Sequence, residues 1–202
     1  MTKSKKRERV LGFEETYMTG FRDLPGFVTK TCAHAYFEEV LTFAKFRLRE
    51  SVEEDPSFKQ IIPYTIITSG NEVLVYERAK KGGDPRLQGL YSIGVGGHIN
   101  PHDDRDKREN VVSVCSWREL QEELKFSPRI ESHERSLKTL GFLHLDETVV
   151  DKVHFGVVQE LTYGGEILPN SPEIASIGWA RKDRVLGLNL EKWSKTIAEE
   201  LF

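Results

Sequence analysis

Three glutamates lie close together in Arg118-Glu119-Leu120-Gln121-Glu122-Glu123, and their spacing carries most of the chemistry this chain can announce. At 100° per residue, Glu119, Glu122 and Glu123 fall within about 100° of one side of a helix. Glu119 and Glu123 are an i, i+4 like-charge pair, which costs roughly 0.2–0.5 kcal/mol in an isolated helix. They also stand in the second half of the helix, where the macrodipole disfavours anions. A solvated acidic face would interleave a lysine four residues on. Here Glu119 is followed at that step by Glu123, and Glu122 by Phe126. Carboxylates clustered at such a cost suit a hard divalent cation, Mg²⁺ or Mn²⁺, which takes oxygen ligands. Arg118, four residues before Glu122, is placed to hold that carboxylate by a charge-assisted hydrogen bond.

A second element precedes this helix, Gly94-Val95-Gly96-Gly97-His98. Adjacent glycines after a strand permit close backbone approach, so a carbonyl there can complete an ion's shell and an N–H can face a phosphate. Together the two elements resemble the Nudix signature, G-x5-E-x7-R-E-U-x-E-E-x-G-U with U a bulky aliphatic residue. The resemblance implies that Glu119, Glu122 and Glu123 bind metal with the carbonyl of Gly96. The chain departs from the signature in two places. Gly97 and Arg118 are about seven residues further apart than the signature allows, so the loop is lengthened. The signature's first glutamate therefore has several counterparts, Asp103 counting forward and Asn110, beside Glu109, counting back. The closing glycine is Lys125, which points to a different helix exit.

The resemblance covers roughly residues 58–187, including the early strands in Tyr64–Arg78, the later strand Lys152-Val153-His154-Phe155-Gly156-Val157-Val158 and the run Glu173-Ile174-Ala175-Ser176-Ile177-Gly178-Trp179. It implies a divalent-metal-dependent hydrolase that cleaves a phosphoanhydride bond in a nucleotide, or in a nucleoside diphosphate linked to another moiety. Glu119, Glu122 and Arg118 would serve catalysis, with Glu173 the first candidate for a loop carboxylate acting as general base; Glu147 and Glu166 are the runners-up. Gly97, His98, Arg78 and Arg86 are the candidate substrate contacts, though Lys80, Lys81 and the two arginines also read as a solvated basic stretch. Two other readings stay open. One is a binding or regulatory module of the same fold without turnover. The other is an isoprenoid-diphosphate isomerase, which would need a positioned cysteine that neither Cys32 nor Cys115 obviously supplies.

The elements that must position these groups alternate between helix and strand periods. His34–Val52 has the three- and four-residue apolar steps of an amphipathic helix. Ile61–Thr68 and Glu72–Tyr76, joined by Ser69-Gly70-Asn71, read as a hairpin. Leu90–Val95 is a short strand and Glu109–Lys125 the acid-bearing helix, with Val114, Trp117, Leu120 and Leu124 expected on its buried face. Strands are expected at Leu137–Leu145, Lys152–Thr162 and Ile174–Ala180, and a closing helix at Leu190–Leu201. Leu11–Gly26 is irregular, its aromatics Phe13, Tyr17 and Phe21 expected to pack onto the core. Tyr91, His144, His154 and Cys115 read as structural residues. The order fits an α/β (α+β) class, and the resemblance sharpens it to an α/β/α sandwich around a mixed sheet. Residues 1–57 are expected to be an N-terminal extension packed on a hydrolase domain of residues 58–202.

Composition bounds the partners. At 202 residues, 30% of them charged, the chain can bury a substantial core, and a net charge of −3 gives no reason to expect a nucleic-acid polymer as partner. Two cysteines make no disulfide framework or zinc pattern. Without an apolar run of signal-peptide or membrane-span type, the expected place is the cytoplasm and the expected partner a small phosphorylated substrate. A homodimer is compatible with all of this.

Overall fold

The computed structural model describes residues 7–21, 25–79, 87–105, 110–130 and 136–202. Contacts divide the chain into two compact units. The first comprises residues 1–63, 97–115 and 139–158, the second residues 64–96, 116–138 and 159–202.

In the first unit, strand β1 (Arg9–Glu14) pairs antiparallel with β3 (Lys45–Leu48) and with the start of β4 (Phe58–Ser69). Strand β2 (Gly26–Thr29) pairs with β9 (Lys138–His144), which neighbours β10 (His154–Thr162). Helix α1 (Lys30–Phe43) supplies Phe37, Val40 and Leu41 to a cluster with Leu11, Phe13, Phe21, Phe142 and Phe155. The aromatic rings there meet edge-on and stacked, with Phe21 and Phe155 centroids 4.9 Å apart. Phe13 and Phe21 are core residues as expected, whereas Tyr17 lies at the surface, stacked on Phe43 at 4.6 Å.

The helix expected over His34–Val52 is in fact shorter and shifted. It ends at Phe43, and the next residues form β3 and the short helix α2 (Arg49–Val52). The reason is strand pairing. Residues 9–12 of β1 offer an open edge to residues 45–48, and Glu14 draws in both Lys45, at 2.6 Å, and Arg47, at 2.5 Å. Backbone pairing and two ion pairs outweigh the helical apolar period.

In the second unit the strand order is β12-β5-β4, with β5 (Glu72–Arg78) antiparallel to β12 (Ile174–Arg181) and β6 (Tyr91–Ser92) joined to β5. The expected hairpin is present. Ser69 pairs with Glu72, leaving a two-residue loop whose Gly70 has φ 56°, a conformation that favours glycine. Strand β7 (Gly94–Gly96) pairs with β4, and a Cβ at Gly94 would come within 2.3 Å of the Tyr64 ring, so only glycine lets the strands close. Strands β4 and β10 are neighbours; Lys59 reaches Lys152, two residues before β10, and Thr68 reaches Glu160 within it, so the contacts advance in the same direction along both segments. They run parallel, which makes the large sheet mixed and the class α+β.

Helix α3 (Val111–Glu123) starts in the first unit and ends in the second. Val111, Val112 and Cys115 join the first unit's cluster; Leu120 and Leu124 are buried in the second with Trp117 against them. Val114, expected on the buried face, is 41% exposed. The early buried stripe follows Val111, Val112 and Cys115 instead. The helix stops at Glu123, so Lys125 is not helical. Leu124–Ser127 forms β8, paired antiparallel with β11 (Glu166–Pro169), a strand the sequence pattern did not reveal. The expected strand over Lys152–Thr162 likewise opens as helix α4 (Val149–Val153), whose start is a capping box between Thr148 and Asp151. The closing helix α5 spans Lys192–Leu201. No helix among the described residues is long and apolar enough to cross a membrane.

Candidate metal centre

The second unit gathers Gly96, Arg78, Arg118, Glu119, Glu122, Glu123 and Glu173, and adds Glu191, which the sequence pattern did not single out. Gly97 and His98 belong to the first unit. There the Gly97 N–H donates to Pro63 at 3.4 Å, and His98 meets the ring of His154 at 5.5 Å between centroids. Arg86, Lys80, Lys81 and Glu109 lie outside the described residues.

The end of α3 presents its three acids in different surroundings. Glu119 is 15% exposed at its side chain and accepts a hydrogen bond from Arg118 Nη1 at 2.6 Å. Glu122 is 62% exposed and 3.5 Å from the same nitrogen. Arg118 thus holds Glu119 first, rather than the residue one turn on. Glu123 is part-buried. Burial pushes its carboxyl up to about 7; Arg78 opposes that, while Glu119, Glu173 and Glu191 add to it. Among the described residues, no three His, Cys, Asp or Glu side chains converge closely enough to hold an ion. Like charge explains the spread, since three carboxylates in protein surroundings separate unless a cation draws them in.

Arg78 stands at the end of β5, paired in register with Ile174, the residue after Glu173. The Glu173 carbonyl accepts the N–H of Ala79 at 2.8 Å, which fixes the turn carrying that acid beside the end of β5. Arg78 lies 5.4 Å from the Tyr76 ring centroid and donates through Nε to Glu191 Oε2 at 3.2 Å. Burial works against its charge, but Tyr76, Glu191, Tyr64 and Glu123 together raise its pKa, so it is a fixed cation.

Glu191 immediately precedes α5 and is buried. Its Oε1 lies 2.7 Å from the Ser92 hydroxyl, 3.1 Å from Tyr64 and 3.2 Å from Ser194. Burial, with Glu191 close by, raises the Tyr64 pKa, which keeps that hydroxyl protonated and able to donate. No local motif marks this network, because its members come from three separate stretches of chain. Only the tertiary pairing of β4, β6 and α5 brings them together.

The remaining candidates have structural settings. Asp103, one counterpart of the signature's first glutamate, is buried in the first unit and accepts the Asn100 N–H at 2.8 Å, closing a turn. Cys115 is fully buried in the apolar cluster, its thiol 3.9 Å from the Gly97 carbonyl oxygen. His154 is bonded through Nδ1 to the Val150 carbonyl at 2.8 Å, and burial lowers its pKa. Burial lowers that of His144 as well.

No family model matches the chain. It is 35% identical over 159 residues to Protein YmaB of Bacillus subtilis (strain 168), covering 76% of each chain. Among solved structures it is similar to Tm1382, a proposed Nudix hydrolase, with a TM-score of 0.72 at 25% identity over 96% of this chain and 98% of the other. A bifunctional NMN adenylyltransferase/ADP ribose pyrophosphatase from Francisella tularensis, complexed with AMP and a manganese ion, shares the fold over 71% of this chain and 41% of its own, with a TM-score of 0.52 at 14% identity. With the acid-bearing helix, the glycine strand before it and the mixed sheet, these similarities show that the chain belongs to the family of Protein YmaB, within the Nudix superfamily.

Proposed function

We propose that the protein is a divalent-metal-dependent hydrolase of phosphoanhydride bonds, acting on a nucleotide or on a nucleoside diphosphate linked to another moiety. The observation that carries this reading is Glu123. It is a part-buried carboxyl that burial pushes up to about 7, with the charges of Glu119, Glu173 and Glu191 adding to that rise and Arg78 opposing it. A cation held by Glu119, Glu122, Glu123 and the Gly96 carbonyl would relieve that excess, and oxygen donors of this kind select Mg²⁺ or Mn²⁺. Such an ion supplies charge neutralisation on phosphoryl oxygens and a water of lowered pKa.

The protein groups have distinct parts in this reading. Arg118 fixes Glu119 and restrains Glu122. Arg78, anchored through Nε, keeps its terminal nitrogens for a phosphate oxygen. Glu173, on the turn held at the end of β5, is the acid assigned to take a proton from the attacking water. We keep residues 1–57 as an addition to a hydrolase domain of residues 58–202; its Leu11, Phe13 and Phe37 pack in the same cluster as Phe142 and Phe155.

The test is phosphate or nucleotide release from a panel of nucleoside diphosphate derivatives with Mg²⁺, with Mn²⁺ and with EDTA. Turnover that needs the cation and disappears in Glu122→Gln and Glu123→Gln is the expected result. No turnover on any substrate, with tight binding of one of them, would replace this reading with that of a ligand-binding module.

A further inference from the structure

Helix α3 ends without the usual means of ending a helix. Its last four carbonyls have no partner within the helix, and a left-handed glycine commonly folds the chain back over them. Positive φ among the described residues occurs only at Gly26, Gly70 and Gly89, none of them near Glu123. The chain passes instead straight into β8 at Leu124. The carbonyls left over belong to the residues that carry or flank the acids.

Asn170 takes them. It follows β11 directly, and the register that sets Pro169 opposite Leu124 brings it to the end of the helix. Its backbone N–H donates to the Glu123 carbonyl at 2.7 Å. Its side-chain Nδ2 donates to the carbonyls of Gln121 at 3.0 Å and Glu122 at 3.2 Å. One residue therefore satisfies three consecutive carbonyls from outside the helix. Three N–H dipoles also face the negative pole of α3, where the clustered carboxylates are least favoured.

We propose that Asn170 is a positioning residue for the metal centre, setting the backbone from which Glu122 and Glu123 reach an ion. This inference rests on the metal-helix reading above. Without the side-chain amide, the last turn frays into the start of β8 and the two carboxylates lose their common frame. Groups that orient ligands in this way typically change metal affinity by about 10–100-fold when removed.

The experiment is calorimetric titration of the full-length, substrate-free protein with Mn²⁺ alone, accompanied by thermal denaturation. Asn170→Ala keeps the backbone bond and removes both side-chain bonds; it is expected to weaken Mn²⁺ binding about tenfold. Asn170→Ser, the milder change, keeps one hydroxyl donor and is expected between the native protein and the alanine variant. Glu122→Gln is expected to lose most binding. Native affinity in both Asn170 variants, while Glu122→Gln loses binding, overturns the role of Asn170 and leaves the metal helix standing. A lower melting temperature with unchanged Mn²⁺ affinity makes Asn170 merely structural and also overturns it. Native affinity in Glu122→Gln removes the metal-helix reading, and this inference with it.

Discussion

Glu191 and Glu123 are acids of the same unit, and both interact with Arg78, yet the protein treats them oppositely. The Glu191 carboxylate has three hydroxyls within 3.2 Å of one oxygen and the Arg78 guanidinium on the other. Its charge is matched by fixed donors, as a buried charge requires. Among the described residues, no hydrogen bond reaches the Glu123 carboxylate. Burial and three neighbouring acids push it up to about 7. The Glu191 carboxylate is supplied with donors by the fold, and in the proposed function the Glu123 carboxylate is the one a bound cation would satisfy. Arg78 joins the two, tied to the first and charge-coupled to the second.

The largest effect that can break this contrast is on turnover. Glu122→Gln is expected to lower kcat by about 10³-fold, in line with the several kcal/mol a metal supplies to a phosphoryl transition state. Steady-state rates at saturating Mg²⁺ measure it, and a loss below tenfold would detach the acid helix from the chemistry. Next comes Arg78→Ala, which strips Glu191 of its charged partner inside the protein. It is expected to cost about 3 kcal/mol of stability in urea denaturation, much of it recovered in Arg78→Ala/Glu191→Gln. No recovery in the double variant would mean that Arg78 and Glu191 do not act as a pair.

Glu123 should behave in the reverse sense. Its folded pKa of about 7 lies above an ordinary value of 4.5, so the folded state binds the proton more tightly. Its ionisation therefore destabilises the metal-free protein as pH rises from about 4.5 through 7, by at most about 3 kcal/mol. Glu123→Gln is expected to raise the melting temperature in EDTA at pH 8, to lose that advantage near pH 4.5, and to lose it at pH 8 when Mg²⁺ is added. A variant less stable than the native protein in EDTA at pH 8 would show that Glu123 is satisfied after all. The smallest effect is expected at Glu173. Glu173→Gln should reduce kcat about tenfold with little change in KM, as loss of a group that acts only in the transition state does. An unaltered kcat would return Glu173 to the status of a loop acid.

Sequence alone was most informative where the chemistry is local. Arg118, Glu119, Glu122 and Glu123 are fixed by helical spacing, and the hairpin around Gly70 by the turn its residues allow. These depend on neighbours within four or five positions, so period and residue type suffice to find them. Local pattern failed where distant segments compete for the same backbone. Residues 45–48 carry a helical period but pair with β1, and Leu124–Ser127 leaves the helix for β11. Val114 is exposed because the early part of α3 packs through Val111, Val112 and Cys115 instead.

The clustering of Glu119, Glu122 and Glu123 on one helix and the glycine strand before it were determined by the sequence itself, since each follows from residue type at short spacing. Tertiary structure alone decided which carboxylate is satisfied and which is not. Glu191 obtains its donors from Tyr64, Arg78, Ser92 and Ser194, and the carbonyls ending α3 obtain theirs from Asn170. Those partners lie between three and well over a hundred residues away in the chain. Ser194 is one helical turn from Glu191; the others are brought within hydrogen-bonding distance by long-range pairing of strands, which leaves no period in the sequence.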